Sequence, residues 1–431
     1  MKNFQTPCEV RLLTSYSHHK RSWILTNKNI LPKLIEDISP GQTDLEWIWF
    51  IYPETIVDEK LVNYIFRSLL DNFNQIKNQN LNNKNYMIAS KITDKEPTII
   101  HHYAGHNKED LHKLSFFNAA KGFICSRELL FSLYNYLISD ESDYFTSSSR
   151  FFIDYAHELS ELLDKATNSE RDWLVNDAVI SKIEVETFED RELQLDKAMI
   201  SEKYDIFTAV KSSSIFKKDR WPIIFDTWMH PNYRFENVKI YSDKKDTFRN
   251  FEISDSFGIP NTKSGHCGKS DIIIRNFDHE SFKFLIILDD DTIIGKEKLL
   301  KLLSQYNHKI PMVIGQRYGF NLQNNLGYNY ITGGGGMIFT SAAVKLYKQS
   351  GCKCPDLTSP DDMIISNCIE HNNGFIVHEP SIHQARPMDY TEGYLESHKA
   401  VSFHKFWNCD GREIYKKWFG NQNMKKERDE L

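Results

Sequence analysis

Three consecutive carboxylates, Asp289, Asp290 and Asp291, close an apolar run at residues 284–288 and give way to Thr292-Ile293-Ile294. The run is short and continuously apolar, as a strand buried on both faces would be. Carboxylates crowded at the carboxyl end of such a strand repel one another unless a cation neutralises them, and that end of an open α/β sheet is where ligands bind. Mn²⁺ or Mg²⁺ would take carboxylate oxygens and share the remaining positions with water and substrate phosphates. The expected chemistry is metal-assisted handling of a nucleotide-diphosphate donor. A solvated acidic turn is the plainer alternative, weighed against the cost of burying acids without a partner.

Gly333-Gly334-Gly335-Gly336 follows Tyr330-Ile331-Thr332, and no Gly-Lys-Ser/Thr comes after it, so it is not a Walker loop. Gly334, Gly335 and Gly336 are expected to line a substrate wall, since glycine lets backbone approach a sugar or diphosphate, or takes positive φ in a tight turn. Pro360-Asp361-Asp362 opens a helical stretch over 363–369. Acids there ordinarily cap the helix. Asp362 or Asp361 also suits the general base that an inverting sugar transfer needs apart from its metal-bound acids. His383, just past a strand at 375–378, could supply a nitrogen ligand and complete an Asp–Asp–His set. It is one of sixteen histidines; His398 and His404 stand behind it as second choices.

Strand and helix must alternate to position these groups. Residues 204–210 read as a strand, a helical pattern runs from Lys217 through Trp221, Phe225 and Trp228, and 238–241 read as the next strand, ending at Ser242-Asp243. That order is the signature of a nucleotide-binding α/β sheet. Within it Lys211 and Arg220 could face phosphates, Asp290 joins the nucleotide contacts, and Asp243 could accept a hydrogen bond from uracil or ribose.

The first half echoes the second. Residues 45–52 followed by Pro53-Glu54 parallel 284–288 and the three aspartates; 119–126 resemble 333–340; 176–181 resemble 361–366. Such self-similarity predicts a duplicated domain. Its first copy has Tyr52-Pro53-Glu54 where the second has three acids, so residues 1–195 read as a degenerate, non-catalytic relative of 196–420. The charged stretch 184–203 serves as linker and the polar segment 72–85 as a surface loop.

At 431 residues the chain has room for two or three domains, and its net charge of −6 is mixed along the sequence. This excludes a nucleic-acid-binding surface as the main business, and no apolar run approaches the ~18 residues of an integral membrane segment. Seven cysteines, three of them (Cys352, Cys354, Cys368) flanking one acidic loop, predict disulfides rather than a zinc knuckle. Residues 421–431 form a polar tail ending in Arg428-Asp429-Glu430-Leu431, close to an endoplasmic reticulum retention address. The start lacks the apolar core of a secretory signal peptide, so the expectation is a soluble, lumenal, retained protein whose N-terminus is incomplete or whose entry is signalled in another way.

The strand 205–212 (DIFTAVKS), the DDDT element at 289–292, ITGGGGMIF at 331–339, PDDM at 360–363, IHQARP at 382–387 and SFHKFW at 402–407 together resemble the Fringe-like β-1,3-glycosyltransferases of glycosyltransferase family 31. The resemblance covers roughly residues 204–418. It implies two tandem GT-A-like (Rossmann-like) α/β domains, the N-terminal one degenerate. It also implies an inverting, Mn²⁺-dependent transfer of glucose from UDP-glucose, in β-1,3 linkage, onto O-linked fucose of thrombospondin type 1 repeats. By the same resemblance Asp289 and Asp291 hold metal and diphosphate, His383 is a further metal ligand, Asp362 is the base, and Lys211, Arg220 and Asp243 touch the nucleotide. Arg386, in the IHQARP run, is assigned to substrate binding. Ser212 departs from the threonine usual in relatives. A galactose or N-acetylglucosamine donor, or a catalytically dead lumenal glycan-binding protein, stays open beside this reading.

Overall fold

The computed structural model describes residues 200–420 apart from 263–264, 321–327, 391 and 398. In the first half it describes 31–38, 47–50, 85–93, 103–104, 115–118, 122–139, 151–152, 154–168 and 172–173. Short apolar runs form the first-half strands β1 (Trp47–Phe50), β2 (Tyr86–Ala89), β3 (Lys91–Thr93), β4 (Ser115–Phe117), β5 (Phe123–Ser126) and β6 (Asp172–Trp173). Two helices pack together on them, α1 (Arg127–Ile138) and α2 (Tyr155–Ala166), started by the side chains of Ser126 and Asp154, which accept from Leu129 N and Ala156 N. Met87, Phe117, Cys125, Leu129, Leu133, Leu159 and Leu163 fill the core between them.

In the second half an eight-stranded sheet is centred on the strand that ends in the acids. Its strands, with those of two small flanking pairs, are β7 (Ile206–Lys211), β8 (Val238–Ser242), β9 (Asp246–Phe248), β10 (Phe251–Asp255), β11 (Phe284–Asp289), β12 (Thr292–Ile294), β13 (Met312–Gly315), β14 (Arg317–Phe320), β15 (Tyr328–Ile331), β16 (Met337–Thr340), β17 (Phe375–His378) and β18 (Ser402–His404). The order in the large sheet is β9-β10-β8-β7-β11-β16-β13-β17. Phe284, Ile286 and Leu288 enter the core on one face of it, Leu285 and Ile287 the core on the other. This is why 284–288 lacks the alternation of a half-exposed strand. The class is α/β, but the sheet is mixed, because β16 runs antiparallel between β11 and β13.

Three connections place the site. β7 runs parallel to β11 in a register that sets Lys211 beside Asp289. β12 pairs antiparallel with β18, bringing Thr292 opposite His404. Helix α3 (Cys267–Asn276) is tied by a Cys267–Cys354 disulfide to the loop before α4 (Asp361–His371), and Cys352–Cys368 ties that loop to α4 itself.

The two sheets share a plan. The first-half order β1-β5-β2-β6 is matched by β11-β16-β13-β17, with antiparallel, antiparallel and parallel pairing in both. The expected match of 176–181 to 361–366 does not fit this plan. Those residues lie outside the described ones and follow β6, whereas α4 precedes β17; the helix in its place is α2. Among the described residues no helix is long and apolar enough to cross a membrane.

Candidate active site

Lys211 is the first countercharge to the acids. Its Nζ lies 3.1 Å from Asp289 Oδ1 and 2.5 Å from Asp361 Oδ2, and the Ser270 hydroxyl of α3 donates to the same Asp361 oxygen. Burial opposes the lysine's charge, but the two carboxylates outweigh it and hold the ammonium well above its ordinary range. Asp289 answers in kind: burial pushes it up, yet Lys211 and then His404 bring it down to about 2. Asp290 turns the other way, accepting from Ser212 Oγ at 2.6 Å and Arg220 Nη1 at 2.7 Å. Burial dominates there and raises it to about 6 despite Arg220. Arg220 Nη1 also lies 3.2 Å from Asp291 Oδ2. Part of the neutralisation that the sequence assigned to a metal is therefore done by the chain's own cations. Lys211 pairs with Asp289 and Asp361, and Arg220 with Asp290 and Asp291.

His404 completes the cluster. Its Nε2 lies 3.1 Å from Asp291 Oδ1 and 3.8 Å from Asp289 Oδ2, while Nδ1 is 2.9 Å from the Gln384 carbonyl. A carbonyl on Nδ1 selects the tautomer that leaves Nε2 as a ligand. Ligand atoms of Asp289, Asp291 and His404 lie within 4.8 Å of one another. Two carboxylate oxygens and one imidazole nitrogen form a donor set that fits Mn²⁺.

The glycine run is bolted to this cluster. Thr292 Oγ1 donates to Gly334 O at 2.8 Å, Ser402 Oγ to Gly335 O at 2.6 Å, and Gly335 N to Gln384 Oε1 at 3.0 Å. A Cβ on Gly334 would stand 2.7 Å from His404 Cγ and closer still to Nδ1 and Cε1. The close approach expected for a ligand is made instead by the chain's own imidazole. Gly335 faces the backbone of His383, and Gly336 takes φ of +113°. Gly333 alone of the four meets nothing within 3.4 Å; Lys211 Nζ at 3.7 Å and the Asp362 side chain at 3.9 Å are its neighbours.

The two acids of α4 separate by environment. Asp361 is buried and tied to Lys211, which holds it below its ordinary range against the effect of burial. Asp362 accepts from Gly333 N at 3.2 Å and Met363 N at 2.8 Å, and burial, then the charge of Asp361, pushes it up to about 6. Asp243 closes the turn after β7, accepting from Ser214 N at 2.6 Å and from the Ser213 and Ser214 hydroxyls. Those bonds outweigh burial and lower it to about 2.

Two sequence assignments change. His383 is fully buried, stacked on Phe403 at 4.7 Å and edge-on to Tyr390, with Nδ1 on the Ser402 carbonyl; the histidine beside the aspartates is His404. Arg386 forks onto Asp389 at 2.9 and 2.7 Å and gives Nη1 to the Trp407 carbonyl at 2.6 Å, so its donors hold the protein rather than face the site. Residues that the sequence reading passed over are Ser270, on Asp361, and Lys269, whose Nζ meets the Ser212 carbonyl at 2.5 Å. Both sit on a polar turn of α3 with no spacing to mark them. The disulfides expected among Cys352, Cys354 and Cys368 are present, with Cys267 as the fourth partner; Cys125 and Cys409 are free thiols among the described residues.

The family model described as Fringe-like matches residues 201–423. A human protein named beta-1,3-glucosyltransferase is 33% identical over 429 residues, 98% of this chain and 79% of its own. A mouse protein of the same name is 33% identical over 417 residues, 95% of this chain and 78% of its own. Among solved structures, a glycosyltransferase involved in the glycosylation of the major capsid of PBCV-1 covers 49% of this chain and 98% of its own, at TM-score 0.28 and 13% identity.

Proposed function

The chain belongs to the Fringe-like family of β-1,3-glycosyltransferases, and from that premise we propose that it moves glucose from UDP-glucose onto O-linked fucose of thrombospondin type 1 repeats. The observation that carries a transferase reading is the step Gly333-Gly334. One glycine borders Lys211 and Asp362, the next borders His404, so a raised-pKa carboxylate and a metal-competent triad flank consecutive residues of one loop.

Asp289, Asp291 and His404 would hold the divalent ion; when bound, it supplies the positive charge that stabilises a departing diphosphate. Asp362 acts as base, taking the proton of the acceptor hydroxyl as that oxygen attacks the anomeric carbon and inverts it. A carboxylate already committed to a cation serves poorly as a base, which favours Asp362 over Asp361, held by Lys211. Asp361 is then the residue that positions Lys211. Lys211 and Arg220 keep charge available as the diphosphate leaves, Asp290 holds Arg220, and Asp243 fixes the turn expected to border the base and ribose.

Residues 1–195 are proposed to be a degenerate copy of the catalytic half, supported by the shared strand order. An oxidising lumen is supported by the two disulfides, and Arg428-Asp429-Glu430-Leu431 is read as its retention address. The test is incubation with Mn²⁺, an O-fucosylated thrombospondin repeat and a panel of UDP-sugars, beside an Asp291→Ala variant. A hexose mass gain on the repeat from UDP-glucose, absent in the variant, is the expected result. Gain from UDP-galactose or UDP-N-acetylglucosamine instead would replace the donor, and no gain from any donor would overturn the transferase reading.

A further inference from the structure

The loop that begins at His404 carries a second feature that the chemistry above does not use. Lys405 N donates to the Asp291 carbonyl at 3.0 Å, so the chain leaves the triad already anchored. Lys405 and Asn408 then take φ of +77° and +55°, unusual for residues with a Cβ, and Cys409 N returns to Phe406 O at 3.2 Å. This tight turn displays Trp407 with 71% of its surface exposed. A single exposed apolar side chain needs no explanation. This one is held. Buried Arg386 grips the Trp407 carbonyl at 2.6 Å and lays its guanidinium 5.4 Å from the indole centroid, while Asp389 fixes the other end of the fork. The same clamp closes the 387–389 turn that presents Met388, also 63% exposed.

A rigid indole costs little further entropy on binding, and it offers a flat apolar face to the C–H face of a sugar ring. Only Lys405 and Phe406 lie between it and His404, a reach of at most about 11 Å between Cα atoms. That distance suits a ring whose hydroxyl must reach the reacting centre. We propose that Trp407 is the platform on which the acceptor's sugar ring stacks, with Arg386 the positioning residue that sets the indole in place. The proposal rests on the transferase reading for its acceptor, and it explains why an arginine in the IHQARP run is spent on the protein itself.

The test varies donor and acceptor separately, with UDP-glucose, Mn²⁺ and an O-fucosylated thrombospondin repeat, for wild type, Trp407→Ala, Trp407→Phe and Arg386→Lys. In Trp407→Ala the acceptor KM should rise roughly tenfold, the factor that about 1.4 kcal/mol represents, with donor KM and melting temperature held. Trp407→Phe should recover most of the loss. Arg386→Lys, which keeps the charge but not the fork, should fall between. An acceptor KM within about twofold of wild type in Trp407→Ala overturns the proposal. NMR titration of methyl α-fucoside forms the second arm and should show binding to wild type that Trp407→Ala loses. If that variant weakens the glycosylated repeat but not the free fucoside, the indole meets polypeptide and the sugar platform is refuted. Should wild type turn over no UDP-sugar, the transferase reading fails, and the fucoside titration still decides the platform.

Discussion

Replacing Gly334 by alanine tests the triad through a residue that ligates nothing. The new methyl would lie 2.7 Å from His404 Cγ and nearer to Nδ1 and Cε1, whereas ordinary contact begins at 3.4 Å. The imidazole must therefore retreat by roughly 1 Å, a displacement large enough to cost about 100-fold where geometry is demanding. Its Nε2 starts 3.1 Å from Asp291 Oδ1, so the retreat opens the triad rather than adjusting it. With Mn²⁺ at about 100 times the wild-type Kd, binding stabilises wild type by about 2.7 kcal/mol; a Kd weakened 100-fold leaves about 0.4 kcal/mol. For a half-chain of this size that is a thermal shift of roughly 5–11 °C against 1–2 °C. Gly333→Ala is the internal control, because its methyl meets nothing nearer than 3.7 Å. Melting curves with and without Mn²⁺ check both variants. A full Mn²⁺ shift in Gly334→Ala would refute the assignment of His404, as would an equal loss in Gly333→Ala.

Asp362→Asn should lower kcat by roughly 10²–10⁴ with the Mn²⁺ shift intact, and a metal-binding loss instead would point to a structural role. Wild-type kcat should fall as pH drops below about 6, since a base whose folded pKa is raised to about 6 is protonated there. The same raised pKa makes the ionised acid destabilising: its contribution is lost on acidification through pH 6 towards the ordinary carboxylate range, so Asp362→Asn should raise melting temperature at pH 7. Lys211→Met leaves buried Asp361 and half-buried Asp289 without their cation and should cost roughly 3–5 kcal/mol in denaturant unfolding, with no cost refuting the ion-pair account. Opening Cys267–Cys354, which spans 87 positions, by Cys267→Ser should cost about 4–5 kcal/mol on chain entropy and reduce kcat, because it releases the loop that presents Asp361 and Asp362. Unchanged kcat would show that α4 holds its start unaided.

The parts of the site that were legible in the sequence are local ones. A continuous apolar run announced β11 because both of its faces are covered, and adjacent acids at its end pointed to cations over a solvated acidic turn. His404 was not legible, because its place depends on β12 pairing with β18, and Asp291 and His404 are 113 positions apart. Position after a strand made His383 one possible ligand among sixteen histidines and the family resemblance selected it, but its ring is packed among Phe403 and Tyr390. Arg386 failed for a similar reason: sequence shows that a donor exists but not that Asp389, three residues on, already holds it. For the glycines the sequence offered close approach or positive φ: His404 stands against Gly334, and Gly336 takes φ of +113°.

The proposed duplication can be compared ladder by ladder as well as by strand order. Matching 45–52 to the acidic strand and 119–126 to 333–340 makes Trp47, Ile48, Trp49 and Phe50 equivalent to Phe284, Leu285, Ile286 and Ile287. The ladders obey it: Trp47 pairs with Ser126 as Phe284 pairs with Thr340, and Phe50 with Phe123 as Ile287 with Met337. The flanking hairpins agree too, Lys91 opposite Phe117 as Arg317 is opposite Ile331. A register slip of one residue would turn every side chain to the wrong face, so the agreement of these ladders is what the proposed duplication requires. The first half also touches the second, since a Cβ on Gly393 would meet Ile92 at 3.2 Å. Next to Gly393, Tyr394 stacks on Tyr390 at 5.7 Å, and Tyr390 meets His383, behind the strand that bears His404. Deleting residues 1–195 would thus disturb the seat of His404 together with any acceptor surface. A role for the first half in acceptor recognition must be sought with surface substitutions that leave the Mn²⁺ shift unchanged.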